Sequence, residues 1–237
     1  MLFKKVKNDK IKNMIKAVFF DLDDTLVDSL SLHLKANRFA FEKFGYNYNL
    51  IQDKTKNIDF MGRRVSDILV IKRDAFGINE KELPAKKLIE TRENFFLEQV
   101  KKETIMLPGA ISLLKTLRGK KIITAIVSSG SKKYIIEVLN KFKLKKLVDF
   151  IISGDEVEKG KPEPECYQKA FKYLNDSYGK FDKRECLVVE DTENGVIAAN
   201  KSHLKVLLVP SKHSVLPKKV EPDYQIRTLK DFDIFKY

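Results

Sequence analysis

Short apolar runs alternate with amphipathic segments along most of the chain. Runs that predict buried strands cover residues 17–20, 122–127, 148–152, 187–189 and 206–209. Between them, apolar residues at helical spacing predict helices over 110–117, 132–142, 165–174 and 195–201. Strands that alternate with helices in this way predict an α/β fold, with a Rossmann-like parallel sheet covered by helices on both faces.

Residues 29–104 depart from this alternation and predict helices only. Apolar residues recur there at helical intervals in three groups: Leu30, Leu34 and Phe41; Val65, Ile68, Leu69 and Phe76; and Leu88, Ile89, Phe95, Phe96 and Val100. Gly45 and Gly77 are placed to end helices. The pattern predicts an all-helical unit over 29–104, inserted into an α/β core that comprises 14–28 and 105–237.

Composition and charge restrict the class of protein. The 237 residues are 43% hydrophobic and 33% charged, which is typical of a globular protein that buries its own core. Lys and Arg number 46 against 33 Asp and Glu, and six of the lysines lie within residues 1–16. The other basic residues are scattered and form no stripe interleaved with aromatic residues, so we do not expect a nucleic-acid partner. Residues 1–13 are predicted to be a basic extension that the fold does not need.

The chain also lacks the signals of a secreted or membrane protein. Cys166 and Cys186 stand in no disulfide-rich or zinc-binding pattern. No apolar run is long enough to span a membrane, and the basic N-terminus has no apolar segment of a secretory signal. We therefore expect a cytoplasmic protein with no membrane partner, and a monomer is favoured.

Polar residues of a particular kind follow the predicted strands. They are Asp21, Asp23, Asp24 and Thr25 after the first strand, Ser128, Ser129 and Gly130 after the second, Gly160, Lys161 and Pro162 after the third, and Glu190 and Asp191 after the fourth. In open parallel sheets, ligands bind at the carboxyl ends of the strands. We therefore expect these four groups to form one site.

The residue types in this site indicate phosphoryl chemistry. Several carboxylates that converge repel one another unless a cation lies among them, and oxygen ligands suit Mg²⁺. Ser128, the N–H groups around Ser129 and the Lys161 ammonium suit phosphate oxygens. An aspartate can attack phosphorus while a second carboxyl exchanges protons, and Asp21 and Asp23, two residues apart in an extended segment, face the same way.

The same residues carry a resemblance to a known family. Residues 20–29, 127–130, 160–164 and 189–195 resemble, in order, the four motifs of the haloacid dehalogenase superfamily, in particular its beta-phosphoglucomutase-like branch with an α-helical cap. The resemblance implies a Mg²⁺-dependent phosphoric monoester hydrolase that acts on a small phosphorylated metabolite, such as a sugar phosphate, through an aspartyl phosphate. It also implies a cap that closes over the site.

The resemblance assigns a role to each residue of the site. Asp21 is the nucleophile and Asp23 the general acid/base. Ser128, Ser129 and Lys161 bind phosphate. The Mg²⁺ ligands are Asp21, Asp23 through its carbonyl, Glu190 and Asp191. In the cap, Arg64 is favoured over Arg63 as a substrate-binding residue, and His33 is a second candidate.

Two positions depart from the family pattern. Asp24 replaces a glycine that is common in this loop, and His203 stands where a glycine often closes the helix after the fourth motif. We expect His203 to adopt a left-handed conformation or to follow a shortened helix. Neither change removes a catalytic group.

Alternative functions differ in how well the residues fit them. A phosphomutase of the beta-phosphoglucomutase type shares every core residue, but such mutases usually have an apolar residue at the position of Thr25 and an arginine at that of Val65, so a phosphatase is favoured. Asp23 disfavours dehalogenation, since the dehalogenases lack that second acid. A basic nucleic-acid-binding protein with an inactive site is the remaining alternative, and the intact set of catalytic residues speaks against it.

Overall fold

A six-stranded parallel sheet forms the centre of the protein in a computed structural model that describes residues 14–213 and 220–237. Its strands are β1 (Ala17–Phe20), β4 (Ile123–Val127), β5 (Phe150–Ile152), β6 (Cys186–Glu190), β7 (Lys205–Leu208) and β8 (Tyr224–Gln225). They are arranged in the order β5-β4-β1-β6-β7-β8, and each neighbouring pair is parallel. The predicted Rossmann-like sheet is confirmed, and only the two-residue edge strand β8 was not predicted.

Helices cover both faces of this sheet, which explains why its strands are apolar throughout. In β1, Val18 and Phe20 belong to the cluster on one face, whereas Ala17 and Phe19 belong to the cluster on the other. The first face is covered by α5 (Ala110–Gly119) and α6 (Lys132–Lys141), and the second by α7 (Glu165–Tyr178) and α8 (Glu193–Lys201). Because neither face meets water, the strands do not alternate between apolar and polar residues.

Four helices lie between β1 and α5 and form the insert. They are α1 (Leu30–Lys43), α2 (Tyr48–Thr55), α3 (Val65–Phe76) and α4 (Ala85–Glu103). Two short strands, β2 (Val27–Asp28) and β3 (Ile105–Met106), pair antiparallel where the chain enters and leaves this helical region. The helices have a small apolar cluster of their own, which includes Phe41, Tyr48 and Leu69.

The ends of the cap helices agree with the predictions, but some of the predicted apolar positions do not pack in the apolar cluster of the cap. Gly77 ends α3 in the left-handed conformation with a φ of 91°, and its N–H donates to the carbonyls of Arg73 and Asp74. Leu34 and Ile68 line an open cavity instead of the cap core, and Leu34 is 43% exposed. Their helical periodicity was correct, but part of the apolar face that it predicts is left for a ligand.

The two departures from the family pattern both adopt positive φ. His203, with a φ of 58°, follows the end of α8 as predicted. Asp24 has a φ of 55°, a conformation that Asp tolerates better than most residues. Its carboxylate accepts hydrogen bonds from the backbone N–H groups of Ser29, at 3.0 Å, and Leu30, at 3.4 Å, at the start of α1. An aspartate is thus suited to this position because it also caps a helix.

One prediction concerns a segment that the structure does not cover. Residues 1–13 lie outside the described residues, so the dispensability of this basic extension remains a prediction. Across 14–213 and 220–237, no helix is both long and apolar enough to cross a membrane.

Candidate active site

The carboxyl ends of β1, β4 and β6 meet at one edge of the sheet and bring the predicted residues together. Asp21 directly follows β1, Ser128 follows β4, and Glu190 and Asp191 stand at the end of β6. Lys161 reaches this group from the loop after β5. All five are buried. Because β1 lies between β4 and β6, the site occupies the point where the strand order reverses, which is where open α/β sheets bind ligands.

Lys161 is the centre of a buried charge network. Its ammonium lies 2.6 Å from Asp21 Oδ1 and 2.6 Å from Glu190 Oε1, and it donates a third bond to the carbonyl of Val127 at 3.3 Å. All three N–H donors of the ammonium therefore have acceptors. Burial disfavours the charged lysine, but the carboxylates of Asp21 and Glu190 outweigh it and raise its pKa well above the ordinary value.

Glu190 holds this lysine in place and is itself held on every side. Its Oε1 also accepts a bond from the Tyr167 hydroxyl at 2.5 Å, and its Oε2 accepts from the Asp191 N–H and the Thr192 hydroxyl. A Cβ at Gly195 would lie 2.0 Å from the Glu190 carboxyl carbon, so this position requires glycine. No motif in the sequence indicates that Tyr167 belongs to the site. In the structure, Glu190 holds Lys161 in place. Its predicted role as a metal ligand stays a prediction.

Asp191 carries the feature that fits a cation. Both of its carboxylate oxygens are buried, and neither has a hydrogen-bond partner among the described residues. Oxygen atoms from Asp21, Glu190 and Asp191 all lie within 4.8 Å of one another. Burial, together with the charges of Asp21 and Glu190, raises the pKa of Asp191 well above its ordinary value. A divalent cation with a preference for oxygen ligands would compensate this charge, so the residues present fit Mg²⁺.

The surroundings of Asp21 hold one of its carboxylate oxygens and leave the other without a hydrogen bond among the described residues. Burial raises its pKa well above the ordinary value; Lys161 opposes this shift, whereas the charges of Glu190 and Asp23 reinforce it. One oxygen, Oδ1, is held by Lys161. Oδ2 has no hydrogen bond to any residue that the structure describes. The carboxylate is thus fixed through one atom and can present the other to a ligand.

Asp23 is oriented by three donors on one oxygen. Its Oδ1 accepts bonds from the hydroxyls of Ser29 and Tyr134, both at 2.6 Å, and from His33 Nε2 at 3.0 Å. Burial acts to raise the pKa of Asp23, but these partners, with His33 foremost, lower it to about 2. Within the described ranges, the second oxygen, Oδ2, has no hydrogen bond. Asp23 is therefore held as a carboxylate with one oxygen available for a proton.

His33 supports Asp23 through a defined tautomer. Its Nδ1 lies 2.6 Å from Arg92 Nη2, and a guanidinium can only donate. Nδ1 must therefore accept, so the ring proton is on Nε2 and points to Asp23. Both ring nitrogens have partners within the protein. These hydrogen bonds let His33 position Asp23, and its predicted contact with the substrate stays a prediction.

The two predicted serines differ in what their hydroxyls contact. Ser128 Oγ is buried and accepts a bond from the Gly130 N–H at 3.0 Å, so its own proton is left for an acceptor in the site. Ser129 Oγ donates to the carbonyl of Gly62 in the cap at 2.7 Å. The Ser129 hydroxyl thus joins the core to the cap. The predicted binding of phosphate by the N–H groups around Ser129 is compatible with this contact and stays a prediction.

A second contact joins the cap loop to the core next to Ser129. The side-chain amide of Asn194 donates to the carbonyl of Met61 at 2.7 Å and to Asp59 at 3.3 Å. Gly62 has a φ of 74°, and a Cβ there would lie 2.7 Å from the Thr192 hydroxyl. The loop before α3 is therefore held closely over the site.

A cavity of about 370 Å³ lies between this cap loop and the catalytic carboxylates. Arg63 lines it, whereas Arg64 does not. The guanidinium of Arg64 donates to both oxygens of Asp67 at 2.9 Å and to the carbonyl of Val157 at 2.7 Å. These three acceptors occupy the Arg64 guanidinium, so Arg63 is better placed to meet a ligand in this cavity. A substrate contact of either arginine stays a prediction. At the start of a helix, neighbouring residues point in different directions, which the sequence alone did not resolve.

Comparisons with known proteins agree with this geometry. A family model described as haloacid dehalogenase-like hydrolase matches residues 18–209. Among curated relatives, the phosphorylated carbohydrates phosphatase of Thermotoga maritima is 30% identical over 192 residues, which is 81% of this chain and 83% of that protein. The (DL)-glycerol-3-phosphatase 2 of Arabidopsis thaliana is 27% identical over 224 residues, which is 93% and 90% of the two chains.

Solved structures show the same fold. CbbY from Rhodobacter sphaeroides, in complex with phosphate, superposes with a TM-score of 0.76 at 20% identity and covers 92% of this chain and 96% of its own. A beta-phosphoglucomutase from Clostridium difficile gives a TM-score of 0.73 at 22% identity, with coverage of 94% and 95%. The resemblance inferred from the four motifs is confirmed, and the chain belongs to the haloacid dehalogenase-like hydrolases.

Proposed function

We propose that this hydrolase is a Mg²⁺-dependent phosphatase that acts on a small phosphomonoester through phosphorylated Asp21. The observation that carries the proposal is that one site holds two carboxylates in different surroundings. Asp21 is held by Lys161, and the two buried oxygens of Asp191 have no partner among the described residues. The first arrangement suits a nucleophile, and the second suits a cation. The relatives named above as phosphatases support the same reaction class.

Each residue has a distinct task in the proposed reaction. Asp21, fixed through Oδ1, attacks phosphorus with Oδ2; the new O–P bond forms as the bond from phosphorus to the ester oxygen breaks. Asp23 passes a proton to the departing alkoxide. Water then attacks the phosphorus and gives a proton to Asp23, and the products are inorganic phosphate and the restored Asp21 carboxylate.

The protonation of Asp23 fits both halves of this sequence. Ser29, Tyr134 and His33 favour the carboxylate, the form that accepts a proton from water. A phosphate dianion brought close to Asp23 raises its pKa because like charges repel, and so favours the protonated form that the first step requires. The unbound Oδ2 is the atom through which the proton would move.

The residues that would hold Mg²⁺ are Asp21 and Asp191, with the Asp23 carbonyl and Glu190 as the other predicted ligands. When bound, the cation would neutralise the converging carboxylates and draw charge from the phosphoryl oxygens. Ser128 would bind a phosphoryl oxygen from the other side. Lys161 would do the same by exchanging its longest hydrogen bond, the one to the Val127 carbonyl, for one to the phosphoryl group. With the phosphoryl group bound in this way in the core, the alcohol half of the ester would point toward the cap.

Phosphate release from a panel of phosphorylated metabolites, with Mg²⁺ and with EDTA, tests the proposal. We expect release only with Mg²⁺, and none from Asp21→Asn or Asp191→Asn. Asp176→Asn is a matched control, because Asp176 is exposed on α7 and, among the residues that the structure describes, forms its ion pair with Lys172. Full activity in EDTA would contradict the proposal, as would an Asp21→Asn protein within about tenfold of wild type.

The same assay separates hydrolysis from phosphoryl transfer between sugar hydroxyls. The enzyme is given β-glucose 1-phosphate with catalytic glucose 1,6-bisphosphate, and both free phosphate and glucose 6-phosphate are followed. Val65 lines the cavity at the position where we expect an arginine in a mutase. Free phosphate should therefore dominate. Formation of glucose 6-phosphate that outruns phosphate release by orders of magnitude would make the enzyme a mutase.

A further inference from the structure

The cap half of the cavity is mostly apolar. The side chains that line it there include Leu34, Ile58, Phe60, Met61, Val65 and Ile68. The catalytic half of the same cavity presents Asp21 and Asp23. A leaving group that fills the cap half therefore meets methyl, methylene and aromatic groups, which suit an apolar body better than a row of hydroxyls.

Lys72 is a buried cation within this apolar half. It is 5% exposed, lines the cavity, and donates to the Thr55 hydroxyl at 3.0 Å. Its ammonium lies 4.6 Å from the centre of the Phe60 ring and 5.5 Å from that of Tyr48. Burial lowers the pKa of Lys72, which is the effect of leaving water without gaining a counter-charge.

The other buried cations differ from Lys72 in having carboxylate partners. Lys161 pairs with Asp21 and Glu190, Arg73 with Asp74 and Glu80, and Arg92 with Glu93. Among the residues that the structure describes, no carboxylate forms an ion pair with Lys72. Buried lysines are rare unless paired. The missing partner, in a cavity that opens to the catalytic carboxylates, indicates that a ligand supplies the negative charge.

The remaining charged groups of the cap half favour an anion as well. Arg63 and Lys56 also line the cavity, and Asp59 is the acidic residue that accompanies them. The Asp59 carboxylate is already engaged with the Met61 N–H at 3.0 Å and the Asn194 amide at 3.3 Å. The buried Arg63 Nε has no hydrogen-bond partner among the described residues. Cations thus outnumber available anions around the leaving group.

We propose that the leaving group of the substrate has a largely apolar body and carries a second anionic group, a carboxylate or a phosphate, that binds Lys72. The proposal rests on the phosphatase function of the same site and narrows its substrates. The phosphoryl group that is removed lies at Asp21, and the second anion lies at the far end of the leaving group. Thr55 and the two rings hold the ammonium in place for it.

Matched series of esters test the proposal. Alkyl phosphates, ω-carboxyalkyl phosphates and ω-phosphonoalkyl phosphates of the same chain lengths are compared by kcat/KM, with glucose 6-phosphate as a hydroxyl-rich ester. At the best chain length, we expect the wild-type enzyme to prefer one of the two anionic series over the alkyl series by about tenfold or more. Which of the two series is preferred shows whether the second anionic group of the substrate is a carboxylate or a phosphate. Equal rates for all series, or a preference for glucose 6-phosphate, would overturn the proposal.

Variants assign the preference to Lys72. Lys72→Met keeps the length of the side chain and removes its charge, so the ratio of kcat/KM between anionic and alkyl esters should fall to near one. Lys54→Met is the control, because Lys54 is exposed on α2 and lies over Phe76, outside the cavity; its ratio should equal that of wild type. A ratio that survives in Lys72→Met contradicts the proposal.

Calorimetry with phosphonates separates this inference from the phosphatase function. Alkyl phosphonates, ω-carboxyalkyl phosphonates and α,ω-alkylbisphosphonates, which have no ester bond to hydrolyse, are titrated into wild type and Lys72→Met with Mg²⁺. Tighter binding of either anionic series that disappears in Lys72→Met supports the binding of a second anion by Lys72 even if no ester is hydrolysed, and the proposed function alone would then fail. If esters are hydrolysed but the anionic phosphonates bind no more tightly than the alkyl phosphonates, the phosphatase function holds and the proposed binding of an anion by Lys72 is overturned.

Discussion

The core and cap halves of the cavity compensate their buried charges in different ways. In the core half, Lys161 has three acceptors and Asp23 Oδ1 has three donors. In the cap half, Lys72 has a hydroxyl and two aromatic rings but no carboxylate within the described ranges. Apart from Asp191, whose carboxylate has no partner among the described residues and suits a cation, the core half is thus organised before a substrate arrives. The cap half is left with a cation that an anionic group of the substrate can satisfy.

This difference assigns separate tasks to the two halves. Groups that must act on every substrate are fixed by hydrogen bonds within the protein, which keeps their geometry constant. Groups that select a substrate retain capacity for a new bond. Substitutions in the core half should therefore affect stability and kcat, and substitutions in the cap half should affect KM and selectivity.

The largest difference in stability is expected between Lys161→Met and Lys72→Met. Loss of Lys161 leaves the buried carboxylates of Asp21 and Glu190 without a counter-charge, which costs about 3–5 kcal/mol of unfolding free energy. Loss of the Lys72 charge removes a cation that has no carboxylate partner among the described residues, and should cost about 1 kcal/mol or less. Urea unfolding without Mg²⁺ measures both. Equal losses would contradict the contrast between the halves.

Mg²⁺ should stabilise the core half. A cation that binds only the folded protein, at about 100 times its Kd, adds about 2.7 kcal/mol, or roughly 5–10 °C in Tm for a domain of this size. Thermal unfolding with increasing Mg²⁺ measures the shift. Asp191→Asn should reduce it strongly, and Asp176→Asn, exposed on α7, should not. An unchanged shift in Asp191→Asn would remove Asp191 from the metal site.

The orientation of Asp23 can be weakened without removing its carboxylate. Tyr134→Phe deletes one donor to Asp23 Oδ1, and we expect kcat to fall about tenfold while KM changes little. Steady-state kinetics measure both. Tyr173→Phe is the control, since Tyr173 is 45% exposed on α7. If Tyr134→Phe lowers only the unfolding free energy and leaves kcat unchanged, Tyr134 has a structural role alone.

How much could be predicted from the sequence differs between the two halves. Asp21, Ser128, Glu190 and Asp191 stand at the ends of strands, so their convergence follows from the parallel topology that the apolar runs predict. Tyr167 contacts Glu190 from the first turn of α7, and Arg92 contacts His33 from the middle of α4. Only the packing of whole helices against the core brings these two residues near the site. No local pattern distinguishes them from other helical residues.

The cap shows the same limit more clearly. Helical periodicity assigns Leu34 and Ile68 to an apolar face, but it does not separate a face that packs in the core from one that lines a cavity. Lys72 follows Ile71 within α3 and resembles any surface lysine in the sequence. Its burial depends on Tyr48, Thr55 and Phe60, which come from other segments of the cap.

The smallest predicted effect concerns the two neighbouring arginines. Arg63→Met should raise KM about three- to tenfold, because Arg63 lines the cavity. Arg64→Met should mainly remove the partly exposed pair with Asp67 and cost about 0.2–1 kcal/mol of unfolding free energy. Kinetics and urea unfolding of both variants check this. A larger rise in KM for Arg64→Met than for Arg63→Met would restore the sequence-based choice.

If the phosphoryl group passes through Asp21, it can be trapped there during turnover. The wild-type enzyme with Mg²⁺ is mixed with a substrate found in the panel, quenched in acid within a single turnover, and analysed by intact mass and peptide mapping. We predict a transient mass increase of one phosphoryl group that maps to Asp21 and decays as free phosphate appears. Phosphate released at the full rate with no such species, or with the group on another residue, would contradict the account.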